Sequence, residues 1–182
     1  MKTLATALFL LLTFSFAPAF TSAQEKPGDK NWQEFTSSEG GFSVLMPEKP
    51  TPSVHGVETS KGRKESHSFS YSDEELTDYL VAFSKYREAK DRQIDYDEVF
   101  DNIQKGLLLA EEGTVRSKIA LNLDGNPGRE VMIEHANGSV KIHRFYFVGD
   151  YFYQLAVEVK NFVSRCDKTE RFLNSFKLIA QK

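Results

Sequence analysis

Cysteine occurs once in the 182 residues, at Cys166, so no disulfide can form within one chain and the fold must rest on a packed core. Histidine occurs four times, at His55, His67, His135 and His143, with no pair at the i, i+4 spacing that seats a metal on one helix face. No serine sits in a Gly-x-Ser-x-Gly elbow, and neither a phosphate-binding P-loop nor a Gly-x-Gly-x-x-Gly turn is present. A hydrolase or nucleotide-dependent enzyme therefore has no support, and no catalytic residue, metal ligand set or cofactor is assigned. There is no excess of basic residues either: 23 Lys and Arg face 26 Asp and Glu. That balance offers no footprint for nucleic acid or for a strongly anionic membrane. Beyond the first residues no apolar run is long enough to cross a bilayer.

What is present begins with a leader. Lys2 precedes the apolar run Ala5–Phe16, and Thr21-Ser22-Ala23 supplies small residues for a peptidase, so residues 1–23 read as a signal peptide cut before Gln24. The expectation is an exported, soluble protein of the periplasm or the extracellular space. Less its first 23 residues the chain keeps 159, and losing Lys2 moves the net charge from −3 to −4. Residues 24–31 are polar and read as a spacer, and 32–182 as one domain. Cys166 leaves a monomer and a Cys166-linked dimer both open.

Strands are expected where apolar residues alternate or cluster between turn residues. They fall at Phe42–Met46, stopped by Pro47, at His67–Tyr71 and at Thr77–Tyr86, with at best an edge strand near Val54–Glu58. Asp95-Tyr96-Asp97-Glu98 fits a capping box. Tyr96, Val99, Phe100, Ile103, Leu107 and Ala110 then recur at helical spacing to about Glu112, with Gly113 as a left-handed cap. A strand over Thr114–Ala120 and a turn over Asp124–Gly128 follow.

A three-strand meander comes next, Arg129–His135, Val140–Val148 and Tyr151–Lys160, with a two-residue turn at Asn137-Gly138. That register opposes Ile133 to Ile142, Ile142 to Val157 and Tyr146 to Tyr153, and places Met132, Phe145, Phe147 and Phe152 on the other face. Asn137-Gly138-Ser139 also matches a glycosylation sequon, but the turn reading is preferred. Apolar residues on both faces imply a sheet covered on both sides, and a helix from Ser164 to Phe176, with Cys166, Thr169 and Leu173 on its apolar stripe, supplies one cover. The expected class is α+β: a three-layer α/β/α sandwich with a mostly antiparallel sheet and its C-terminal helix packed on that sheet.

That order of elements accompanies several local motifs: Phe42-Ser43-Val44-Leu45-Met46-Pro47, Gly125-Asn126-Pro127-Gly128-Arg129-Glu130, Arg144-Phe145-Tyr146-Phe147-Val148-Gly149-Asp150, Tyr153-Gln154-Leu155 and Phe172-Leu173-Asn174-Ser175-Phe176. Together they resemble the exported bacterial relatives of the PsbP-like fold, shared with Mog-type and DcrB-type proteins. The resemblance implies a sandwich without a common active site, whose members act as accessory or interaction modules. It carries over no catalytic residue, and the simple leader gives no ground for a photosystem role.

Five residues are candidates for binding. Arg144 points to an apolar face, where it needs an acid or serves an anionic ligand. His143 is the candidate among the histidines, set against a structural role. Arg129, beside the Pro127-Gly128 turn with Glu130, could rim a pocket or be solvated. Phe147 and Phe152, with Phe145 and Tyr151, are the aromatic surface on which a partner is expected, coverage by the terminal helix being the alternative. Asp97 and Asp101, one turn apart, and the cluster Asp73, Glu74, Glu75 and Asp78 read as solvated acidic faces. The leading expectation is thus a non-enzymatic module contacting another extracytoplasmic protein. The alternative is a small-molecule or metal binder with a pocket between sheet and helix, anchored by Arg144 or His143.

Overall fold

Two glycine turns set the register of half the sheet. The computed structural model describes residues 32–59, 62–73, 77–85, 94–160 and 167–179. The leader, the spacer, Glu74, Glu75 and Cys166 lie outside the described residues. The elements are β1 (Gln33–Ser37), β2 (Phe42–Met46), β3 (Thr51–Thr59), β4 (Gly62–Ser72), β5 (Thr77–Lys85), α1 (Tyr96–Glu111), β6 (Gly113–Leu123), β7 (Asn126–His135), β8 (Val140–Val148), β9 (Tyr151–Val159), α2 (Asp167–Asn174) and β10 (Lys177–Leu178). Among the described residues the strands form a seven-stranded sheet in the order β3-β4-β5-β9-β8-β7-β6 and a three-stranded sheet, β1-β2-β10. Every pairing is antiparallel.

Between β6 and β7 only Asp124 and Gly125 turn, with φ of 51° and 86°, the two left-handed residues that a tight hairpin matched to strand twist requires. The expected longer turn to Gly128 is therefore replaced by strand: Pro127 pairs with Asn122 at the start of β7, before β8 joins on the other side. Between β7 and β8 the expected two-residue turn is also corrected. Asn137 is not left-handed, only Gly138 is (φ 80°), and the His135 N–H donates to the Ser139 carbonyl at 2.9 Å across a three-residue connection. The extra residue slips β7 by one against β8, so Met132 opposes Ile142 and Ile133 opposes Lys141. Because side chains alternate, one residue of slip exchanges the faces of the whole strand. The β8–β9 register is as expected, with Ile142 opposite Val157 and Tyr146 opposite Tyr153.

The two faces of the large sheet bury different clusters. On one, Tyr79, Val81, Phe83, Ile142, Tyr146, Tyr153, Leu155 and Val157 pack with Phe42, Val44 and Met46 of β2 and with Phe172 and Leu173 of α2. Complete burial of such a side chain is worth about 1.5–3 kcal/mol, so this is the main source of stability. On the other face Val131, Ile133, Phe145 and Phe147 pack with Phe100 of α1. The three-stranded sheet shares the first face with α2, which makes the molecule richer in strand than the helix–sheet–helix expectation. β10 carries too few residues to declare a period and β1 is mostly polar; β3 is polar too, which is why the sequence suggested only an edge strand near Val54–Glu58, whereas the strand expected at His67–Tyr71 lies within β4.

α1 starts as expected: the Asp95 carboxylate accepts from the N–H groups of Asp97 and Glu98, both at 3.1 Å. Its end is different. The left-handed residue is Glu112 (φ 50°), and Gly113 already belongs to β6. Gly113 is glycine because a Cβ there would lie 2.3 Å from Ile133 Cγ2, a contact that real side chains do not make.

Candidate functional site

α1 and the sheet flank an open apolar cleft of about 330 Å³. Its helix wall is Val99, Ile103, Gly106, Leu107 and Ala110, the same stripe whose period forms the amphipathic helix. Its sheet wall is Phe145, Phe147, Phe152 and Gln154. The rings of Phe145 and Phe152 lie nearly parallel, 5.7 Å apart. Gln154 is the one hydrogen-bonding side chain among these residues.

Behind Gln154 lies a buried polar chain. His143 is fully buried on β8, its Nδ1 3.2 Å from Gln154 Nε2 and its Nε2 3.2 Å from Glu111 Oε2. Lys141 Nζ reaches Glu111 Oε1 at 2.9 Å. Burial pushes the Glu111 carboxyl up, but hydrogen bonding and charge from His143 and Lys141 outweigh it and hold the group at about 2. The chain fastens the C-terminal end of α1 to the sheet. Both ring nitrogens of His143 are thereby engaged, and among the described residues no three His, Cys, Asp or Glu side chains converge as a metal cage.

A pH dependence follows from that depressed value. A carboxyl lower in the folded state than the usual 4.5 stabilises fully above 4.5 and loses its contribution as pH falls toward 2. With solvent screening allowed for, about 1–2 kcal/mol is expected from this group. Urea unfolding of the wild type and Glu111→Gln from pH 6 to pH 2 should show two stabilities that converge at the acid end. Curves that stay parallel would dismiss the coupling.

The N-terminal end of α1 is fastened by Arg129. Its side chain is 9% exposed, donates from Nη1 to Asp101 Oδ1 at 2.6 Å and from Nη2 to Asp97 Oδ1 at 2.5 Å, and lies 5.0 Å from the centre of the Phe100 ring. Arg129 is buried, so its solvated reading is corrected, whereas Asp97 and Asp101, 88% and 48% exposed, lie on the solvated acidic face that was expected and meet the guanidinium at its edge. They are one clamp, since residues four apart on a helix present both carboxylates to the same guanidinium. Lys118, joined by Arg129, draws the Asp101 carboxyl below its ordinary value.

Arg144 lies on the opposite face and does not line the cleft. β8 alternation places it with Ile142 and Tyr146, and its strand neighbour on β7 is Glu130, where the slipped register puts an acid in place of Val131. Its Nε donates to Glu130 Oε2 at 2.7 Å, and its Nη1 donates to the Leu173 carbonyl and Asn174 Oδ1, both at 2.8 Å, at the end of α2. A cation at a helix C-terminus is favourable. The anchoring of a helix–sheet pocket by Arg144 is thus corrected: it joins β7, β8 and α2, and the pocket lies elsewhere.

The aromatic surface is corrected in the same way. Phe145 and Phe147 are 2% and 3% exposed, and Phe147 meets Tyr96 and Phe100 of α1 at ring distances of 5.3 Å. The cover is α1, not the terminal helix. Phe152 is half-buried at the cleft. A second, open hollow of about 440 Å³ lies at the other end of the sheet, where His67 stacks on Phe83 with Glu39, Lys64 and Lys85 around it. Opposite charges mixed at that spacing select no single ligand.

Glu111, Gly106 and Gln154 were missed by sequence reasoning. The signal for Glu111 was its place: α1 has no basic residue in its last turn, and an acid there opposes the helix dipole unless a cation meets it. Gly106 was a helix-interior glycine with no turn to serve.

No family model matches the chain, nor does any curated protein sequence. Among solved structures, the solution structure of cyanobacterial PsbP (CyanoP) from Synechocystis sp. PCC 6803 is similar, with a TM-score of 0.54 and 12% identity over 81% of this chain and 92% of that one. A Pseudomonas aeruginosa protein of unknown function, PA94, aligns over 71% of this chain and 83% of its own, with 9% identity and a TM-score of 0.34. Among the described residues no helix is long and apolar enough to cross a membrane. At such identity the likeness to CyanoP is one of backbone, and on it this chain has the PsbP-like fold.

Proposed function

We propose that this chain is an exported, non-enzymatic accessory module that acts by binding in the periplasm or outside the cell. The observation that carries the reading is the PsbP-like fold, matched across most of both chains. Two further features support it. Residues 1–23 have the charge, apolar run and small-residue ending of a leader. The buried ionic groups Arg129, Arg144, Glu130 and His143 are spent on holding α1, α2 and the sheet together, a structural use.

The test is recovery of the protein from fractions of its own host, followed by N-terminal sequencing and native mass spectrometry. A chain beginning at Gln24 in the extracytoplasmic fraction, in stoichiometric complex with another protein, is the expected result. An intact leader on cytoplasmic protein would overturn export, and a free chain with nothing bound would overturn the accessory role. A second reading, a small-molecule binder, is favoured by one specific observation, the apolar cleft between α1 and the sheet. A free chain carrying a stoichiometric small adduct would select it.

A further inference from the structure

The buried row behind Gln154 has a fixed direction, and Glu111 sets it. Its carboxyl is held at about 2, so it stays ionised across the whole range in which a histidine changes charge. An ionised carboxylate only accepts hydrogen bonds. The 3.2 Å contact between Glu111 Oε2 and His143 Nε2 therefore places a proton on Nε2. Nδ1 is the nitrogen whose state is open, and it lies 3.2 Å from Gln154 Nε2. An amide nitrogen only donates, so Nδ1 accepts here and the ring is neutral. From Lys141 through Glu111 and His143 to Gln154, each contact then joins one donor to one acceptor.

The charged groups around the ring come from α1, β7, β8 and β9. Glu111 meets it directly from α1, and Lys141, two residues before it on β8, holds the other oxygen of that carboxylate. On β9 the residue opposite His143 is Ala156, and Glu158 stands opposite Lys141. On β7 the opposite residue is Val131, with Arg129 two residues away in its clamp with Asp97 and Asp101. His135, at the end of the same strand, reaches the Glu111 carbonyl at 2.9 Å. Nδ1 has none of these as its partner; it has the uncharged amide of Gln154.

Proton uptake by His143 breaks the row at one place. A doubly protonated imidazole donates from both nitrogens. Nδ1–H would then face the Gln154 NH2 group, donor against donor, on a ring that is fully buried and has no bulk water to turn to. Half a turn of the carboxamide about its last bond removes the conflict, because it brings Oε1 to Nδ1–H. That torsion is soft and roughly two-fold, so both orientations are accessible. Gln154 is also half-buried and lines the open cleft, where the displaced NH2 group has somewhere to go.

We infer that His143 and Gln154 form a proton-driven amide switch in the wall of the cleft. With His143 neutral, Gln154 spends one N–H on the ring and turns its carbonyl oxygen and its second N–H outward. With His143 protonated, the oxygen turns inward and both N–H groups face the cleft. The imidazole charge is the trigger and the amide torsion is the two-state element it biases. Glu111 is the fixed reference, because it keeps Nε2 protonated in both states. The single polar side chain of the wall thus changes from acceptor to donor as pH falls, without movement of the backbone.

The experiment is nitrogen NMR of the full chain between about pH 8 and about pH 4, following histidine ring nitrogens and glutamine side-chain amides together. At the alkaline end His143 should be the tautomer protonated on Nε2. As pH falls, the Gln154 amide signals should move with the His143 ring at one shared midpoint, and the Overhauser contact from the Gln154 NH2 protons to the ring should be lost. Gln154→Leu leaves Nδ1–H without an acceptor, so its His143 should take up the proton at lower pH than the wild type. Gln154→Glu supplies a carboxylate there and should move the step to higher pH. A wild-type ring protonated on Nδ1 at the alkaline end overturns the switch before any variant is made. So does a Gln154 amide that stays still while His143 titrates, a ring that stays neutral until the protein unfolds, or a step that neither variant moves.

Discussion

Arg144→Ala is expected to lower the free energy of unfolding by about 3–5 kcal/mol, because it removes the counter-charge of a buried carboxylate. Glu130 is 2% exposed and Arg144 8%, so neither charge has bulk water to fall back on. The guanidinium lies 2.7 Å from the carboxylate and is also the group that meets the Leu173 carbonyl and Asn174 at the end of α2. One substitution therefore takes the guanidinium from an acid on β7 and from the end of the helix that brings Phe172 and Leu173 to the core. For a domain of this size the loss corresponds to about 10 °C in Tm. Arg144→Lys keeps the charge but cannot fork to three acceptors, and should recover only part of the loss. Arg144→Met combined with Glu130→Leu removes both charges and should be more stable than Arg144→Ala alone, since the lone buried charge is the expensive species. Urea unfolding of the wild type and the three variants decides it. A double variant no better than the single one would mean that the pair is not the coupled unit.

The sequence left Arg144 between an acid partner and an anionic ligand and could not name the acid, and the reason is a single turn residue. Alternation along β8 is unambiguous, so the opposition of Tyr146 to Tyr153 and of Ile142 to Val157 could be read directly. The β7–β8 register instead depended on whether Asn137 would take a left-handed conformation. Asn-Gly permits it, but here the Asn137 side chain accepts from the Ser139 N–H at 2.9 Å and only Gly138 turns. That choice put Glu130 beside Arg144 and moved Val131 and Ile133 under α1. The helix itself was legible because cap, period and length agreed. The clamp of Asp97 and Asp101 on Arg129 was not, since it joins residues about thirty apart whose adjacency depends on the same register. β10, with two residues, has no period to read, and its place beside β2 is set by the packing of Phe176 against Phe42.

Phe147→Asp should unfold the protein or cost more than about 4 kcal/mol, whereas Phe152→Asp should cost about half as much or less. The two were grouped as one aromatic surface because both are large, apolar and on the same face of the meander. Their surroundings separate them. Phe147 is 3% exposed, with ring neighbours Tyr96 and Phe100 on α1 and Phe152 on β9 at 5.0–5.3 Å. Arg129 sits over Phe100, but both of its bonds to acids are already made, so a new carboxylate at 147 would have to break the clamp to find a cation. At Phe152 a carboxylate can turn toward the cleft and stay hydrated. The measurement is the unfolding free energy of each variant, followed by α1 protection in hydrogen exchange. If Phe147→Asp kept wild-type stability and lost only a binding partner, α1 would not be seated on β8, and the aromatic face would be free to dock. If it unfolds while Phe152→Asp stays folded, the face is divided: Phe147 is core that holds α1, and Phe152 is wall of the cleft that α1 leaves beside it.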